Sequence, residues 1–76
     1  MDRNSLIKVV NKYNGSVGYR VPDLNMRRKF YPGETKEITF DELEKLSYSP
    51  GGYSILTEYL EIQDEDAINA ILRGTP

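Results

Sequence analysis

The residues of this chain best suited to chemistry are cations set among aromatic rings. Arg27-Arg28-Lys29 runs directly into Phe30-Tyr31, and Tyr19-Arg20 falls in a segment that reads as a neighbouring strand. Basic groups of this kind neutralise phosphates or carboxylates, while exposed rings stack on bases or anchor a protein interface. The candidate binding surface is therefore Tyr19, Arg20, Arg27, Arg28, Lys29 and Tyr31. Three roles compete for it: nucleic-acid binding, a protein interface, and a structural role in which Arg and Lys guard an edge strand or pair with carboxylates inside the fold. Strand alternation sends at least one of the three consecutive cations to a different face from the others.

Other sets of polar residues carry less. Glu58, Glu61, Asp64, Glu65 and Asp66 lack the alternating ligands and central glycine of a calcium loop, and read as a solvated face with its first-turn carboxylates favoured by a helix dipole. Ser49-Pro50-Gly51-Gly52-Tyr53-Ser54 lacks the spacing and the lysine of a phosphate-binding loop, so it reads as a corner between helices where glycines permit close approach and positive φ. The chain has no cysteine and no histidine. Disulfides, thiolate metal sites, cysteine nucleophiles, the usual general base and the usual zinc ligand are thereby absent. Paired carboxylates remain, but 76 residues leave little room for a substrate cleft. The expectation is a protein with no catalytic residue, cofactor, metal or small-molecule substrate.

The elements that must position these groups are legible in order. Leu6-Ile7-Lys8-Val9-Val10, within Ser5 to Lys12, reads as a strand that is central or covered on both sides. Asn14-Gly15 marks a hairpin, and a three-residue loop pairs Ile7 with Val21 and Val9 with Tyr19 while setting Lys8 opposite Arg20, an unfavourable pair of like charges. Pro22 ends the second strand, and Leu24 in the following loop is an apolar anchor. Met26 to Tyr31 and Thr35 to Thr39 form the next hairpin about the type II turn Pro32-Gly33, setting Arg28, Lys29 and Phe30 opposite Ile38, Glu37 and Lys36.

Helical signals follow. Thr39 and Glu42 form a capping box, and Phe40, Leu43 and Leu46 give the helix to Ser47 an apolar stripe. A second helix spans about Tyr53 to Tyr59, Leu60-Glu61-Ile62 is a short returning strand, and Asp64 caps a last helix carrying Ile68, Ile71 and Leu72. Gly74 reads as its stop and residues 74–76 as a linker or chain end, leaving one domain over 1–73. The fold class is α+β: two antiparallel β-hairpins making a small curved sheet or partly open barrel, followed by two to three short helices packed on it. The expected core is Ile7, Val9, Val17, Tyr19, Val21, Phe30, Ile38, Leu43, Leu46, Ile55, Leu56, Leu60, Ile68 and Ile71. The six tyrosines read mostly as core and rim.

Charge divides the chain. Residues 1–36 hold eight basic and three acidic groups, and residues 37–76 hold two basic and nine acidic ones, for a net −2. The two halves attract each other within the fold, or else partners or copies meet through opposite faces. No apolar run approaches the roughly 20 residues of a membrane span, and Met1 to Ser5 lacks the apolar segment of a signal peptide.

Ile7-Lys8-Val9-Val10-Asn11, Asn14-Gly15-Ser16-Val17-Gly18-Tyr19, Phe30 to Ile38, Leu43 to Leu46 and Pro50-Gly51-Gly52 together resemble the N-terminal region of uncharacterised proteins of tailed bacteriophages and prophages of gut bacteria. The resemblance covers nearly the whole chain and implies a small accessory or structural domain that binds a capsid, a tail or copies of itself, continues into a more helical segment, and brings no site residues with it. The leading expectation is a non-enzymatic protein-binding module, soluble in the host cytoplasm during expression or carried on the virion. Its alternatives are a nucleic-acid-binding protein using Arg27 to Tyr31, and a phage inhibitor of a host protein acting through the acidic half.

Overall fold

Period-two alternation in the first half and helical stripes in the second yield strands first and helices afterwards. A computed structural model describes residues 2–73; the Gly74 stop and the 74–76 linker lie outside them. The elements are β1 (Leu6–Asn11), β2 (Val17–Val21), a 3₁₀ turn (Pro22–Leu24), β3 (Met26–Phe30), β4 (Thr35–Thr39) and α1 (Phe40–Tyr48). Then come α2 (Gly52–Ser54) with a π-wound continuation (Ile55–Tyr59), β5 (Leu60–Ile62), and α3 (Glu65–Ile68) with a π-wound continuation (Asn69–Arg73). The fold is α+β. Among the described residues, the strands form two open antiparallel sheets, ordered β4-β1-β5 and β2-β3.

The strands lie where alternation puts them, but two of the expected pairings do not form. β1 pairs with β4 and β5 instead of β2, so Ile7 faces Ile38 and Val9 lies between Lys36 and Ile62. Arg28, Lys29 and Phe30 face Tyr19, Gly18 and Val17 instead of β4. Charge favours the observed register. Lys8, which a β1–β2 hairpin would set against Arg20, stands opposite Glu37.

Asn11 decides the rest. Its side chain is 1% exposed. Its Nδ2 donates to the carbonyls of Gly15 at 2.8 Å, Tyr31 at 3.1 Å and Phe30 at 3.3 Å, and its Oδ1 accepts the Tyr13 N–H at 2.8 Å. The chain after β1 thus folds onto Asn11 and departs into a second sheet, instead of turning back along β1. Pro32-Gly33 is a turn of the expected kind, with Gly33 at φ +77° and the Glu34 N–H donating to Tyr31 O at 3.0 Å. It joins the two sheets. Gly33 N–H donates to Asn11 O at 3.0 Å and Asn11 N–H to Glu34 O at 2.9 Å, which delivers β4 to the side of β1.

Thr39 caps α1, its hydroxyl accepting the Glu42 N–H at 3.2 Å. The reciprocal half of the capping box is replaced, since the Glu42 carboxylate turns to other partners. Gly51 takes φ +77°, and a Cβ on Gly52 would sit 1.8 Å from the Leu46 carbonyl oxygen, so the corner between α1 and α2 does require glycine. Asp64 caps α3 by accepting the Ala67 N–H at 3.1 Å.

One apolar core joins both sheets and the helices. It contains the expected residues, with Ile55 and Ile68 only partly buried, and adds Phe40, Ile62 and Ala67. Leu24 packs against its edge. Of the tyrosines, Tyr19 is buried as expected, whereas Tyr13, Tyr31, Tyr48, Tyr53 and Tyr59 are exposed. Among the described residues, no helix is long and apolar enough to cross a membrane.

Candidate binding surface

The six candidate residues divide according to the pleat of the β2–β3 hairpin. Val17, Tyr19 and Val21 of β2 and Phe30 of β3 are buried, with Met26 and Arg28 half-buried beside them, while Gly18, Arg20, Arg27 and Lys29 point outward. Tyr19 and Arg28 therefore leave the binding surface. Their partner is Glu42 of α1, a carboxylate whose side chain is 3% exposed.

The arrangement around Glu42 is closed. Arg28 grips it with two parallel bonds, Nε to Oε2 at 3.0 Å and a terminal guanidinium nitrogen to Oε1 at 2.6 Å. The Tyr19 hydroxyl donates to Oε2 from within the core. Burial pushes the Tyr19 hydroxyl far above its ordinary value, and the Glu42 carboxylate beside it pushes further. Hydrogen bonding to Glu42 holds the Arg28 guanidinium still more firmly protonated. The triad staples the β2–β3 sheet to α1, which is a structural role.

What remains outside is a cationic patch. Arg20 stands directly across the ladder from Arg27, and Gly18, with no side chain, stands across from Lys29. None of Arg20, Arg27 or Lys29 belongs to an ion pair among the described residues. Opposed like charges on a strand pair are destabilising unless an anion lies between them. Lys29 lies 5.1 Å from the centroid of the exposed Tyr31 ring, which holds a cation and an aromatic edge together at the end of the patch. A shallow open depression of about 710 Å³ over this face is lined by Ser16, Gly18, Arg20, Arg27 and Lys29, and Tyr19 and Arg28 also border it.

The acidic residues do not converge. Glu58, Glu61, Glu65 and Asp66 are exposed along the π-wound segment, β5 and α3, and Asp64 is occupied in capping. Among the described residues no group of His, Cys, Asp or Glu is placed to hold a metal ion.

Two polar residues central to the structure were not singled out as such by the sequence. In the sequence Glu42 reads as a capping-box member; the signal of its burial is its position four residues before Leu46, on the apolar face of α1. Asn11 falls within the strand that the sequence places over Ser5 to Lys12, and no local signal distinguishes a buried asparagine there from an exposed one. Comparison with family models, curated proteins and solved structures finds no match to this chain.

Proposed function

We propose that the protein is a non-enzymatic protein-binding module whose working surface is the outer face of the β2–β3 hairpin, and whose partner presents carboxylates to it. One observation carries this reading: Arg20 and Arg27 are opposed across the ladder with Lys29 beside them and no carboxylate paired to any of the three among the described residues. Of the other cations in this half, Lys12 donates to the Thr57 carbonyl at 3.3 Å, Lys8 has no ion pair among the described residues, and three are paired. Arg28 pairs with Glu42, Lys36 with Glu34 and Arg3 with Asp41. A partner supplying carboxylates to the outer face would relieve the repulsion and set the register of the complex.

Charge also favours a protein over a nucleic acid. A patch of three cations on a chain of net charge −2 can neutralise only a few phosphates, and the remaining acidic surface repels a long polyanion. A place among the structural or accessory proteins of a tailed phage belongs to the same proposal and rests on the sequence resemblance. Titration of the labelled protein with a polyglutamate peptide and with an oligothymidylate of matched charge tests the binding reading. Polyglutamate is expected to shift the Arg20, Arg27 and Lys29 resonances, and an R20E/R27E/K29E variant to lose the response. Tighter binding of the oligothymidylate at equal salt would move the assignment to nucleic acid, and silence toward both would overturn it. Detection of the chain in purified virions by mass spectrometry tests the phage role separately.

A further inference from the structure

Among the described residues the β2 strand has one neighbour, β3, so its other edge carries no strand. The pattern of the ladder shows which groups that edge presents. The backbone atom nearest to where a Cβ on Gly18 would sit is the Arg28 carbonyl oxygen, at 3.7 Å, so that carbonyl points across to β2. A carbonyl pointing across the ladder belongs to a hydrogen-bonded pair, which makes Tyr19↔Arg28 such a pair and, by alternation, Val17↔Phe30 and Val21↔Met26 as well. Gly18 and Arg20 are then the residues whose N–H and C=O face away from β3. No backbone bond from either to a loop, a turn or another element is present among the described residues.

The space beside this edge is shaped to receive a chain. One depression of about 230 Å³ lies against Val17 and Gly18, bounded by Tyr13, Tyr59 and Ile55. A second of about 360 Å³ lies against Tyr19 and Arg20, bounded by Pro50, Gly52 and again Ile55. Ile55 borders both, so the two lie in succession along β2 as an interrupted trough. Tyr13 and Tyr59 meet edge to face at its end, with centroids 4.9 Å apart, and both are exposed. Edges of this kind are ordinarily blunted by proline, bulges or several charges. Ser16-Val17-Gly18-Tyr19-Arg20 carries a single charge and no proline.

Resting on the binding reading above, we infer that the partner engages by strand addition: an extended acidic segment of another protein pairs with the open edge of β2 through Gly18 and Arg20. Its residues facing the trough are small or apolar, and the alternate ones are carboxylates lying beside Arg20 and Lys29. Main-chain bonds supply affinity in this mode, and the side chains on either face supply selectivity. The occupant is not a second copy of β2. A two-fold β2–β2 pairing would place Arg20, Arg27 and Lys29 of both copies on one continuous outer face and double the repulsion that is already present.

Three peptides separate strand addition from simple charge attraction: a short peptide alternating Glu and Val, the same peptide N-methylated at alternate amides, and polyglutamate of equal length. The alternating peptide is expected to bind roughly tenfold or more tighter than its N-methylated form, and to slow hydrogen exchange of the Gly18 and Arg20 amides, which exchange fast in the free protein. Gly18→Pro removes an edge donor that faces away from β3, and is expected to keep the hairpin while losing the preference for the alternating peptide. Equal binding of all three peptides, or Gly18 and Arg20 amides already protected in the free protein, would overturn strand addition and leave the basic face standing. Failure of all three to bind would overturn both readings.

Discussion

Glu42 accepts two bonds from Arg28 and one from Tyr19 while nearly removed from solvent, so removing it leaves a half-buried guanidinium and a buried hydroxyl unpaired. Because Arg28 retains some access to water, Glu42→Ala is expected to lower stability by about 2–3 kcal/mol, below the full loss for a wholly buried pair. Urea denaturation measures the difference, and Tyr19→Phe, which removes one bond of the three, should lose about 1 kcal/mol. Asn11 has more at stake than its size suggests. Asn11→Ala orphans the Tyr13 N–H and the Gly15 carbonyl and loosens the joint between the sheets, with an expected loss of about 2–4 kcal/mol in the same assay. Asn11→Asp is expected to be no milder, since a carboxylate cannot donate to the carbonyls of Gly15, Phe30 and Tyr31.

The elements carry their own tests. The corner between α1 and α2 brings the Gly52 backbone against the Leu46 carbonyl so closely that no Cβ fits. Gly52→Ala is expected to displace α2 and destabilise by more than about 2 kcal/mol, visible as shifted amide resonances in Leu46 and Ile55. The β2–β3 hairpin predicts the opposite sign. Arg20→Glu converts the repulsive Arg20↔Arg27 pair into an attractive one and should raise stability by about 0.2–1 kcal/mol in urea melts, while weakening polyglutamate binding. A substitution that stabilises the fold and removes binding is the behaviour of a surface kept for a partner. These elements were readable before their partners were. Strand limits, the Pro32-Gly33 turn, the Thr39 and Asp64 caps and the glycine corner all follow from local stereochemistry, and local stereochemistry is what short stretches of sequence record.

At the scale of the whole molecule, acid sensitivity follows from the carboxylates that the folded state pairs with cations and N–H groups. Asp41 accepts from Lys45 at 2.7 Å and from Arg3 at 3.1 Å, and these cations, Lys45 foremost, hold its carboxyl below the usual range. Glu34 is held low chiefly by the Tyr31 N–H, with Lys36 adding to it. A carboxyl that binds its proton less readily in the folded state than in the unfolded one stabilises the fold above the ordinary range, near pH 4, and ceases to do so as pH falls through its lower folded value. The Asp41→Asn/Glu34→Gln variant should therefore be less stable than the parent at neutral pH and converge with it at strongly acidic pH, as followed by urea melts across that range.

The sequence by itself determined the class of the fold, the position of each strand, the turn, the caps, the apolar core and the presence of a cationic aromatic segment, because alternation, propensity and capping act over a few residues. Only the tertiary structure decided which strands pair, since a short strand such as β1 carries apolar residues that suit β2, β4 or β5 equally well. The choice among them goes with Asn11 joining two sheets and with Lys8 standing opposite Glu37 in the ladder, both juxtapositions of residues far apart in the chain. The same long-range packing separated the candidate residues. Alternation requires that neighbours in Arg27-Arg28-Lys29 face opposite ways, but only the placement of α1 shows that Arg28 and Tyr19 close on Glu42 while Arg20, Arg27 and Lys29 are left to the solvent.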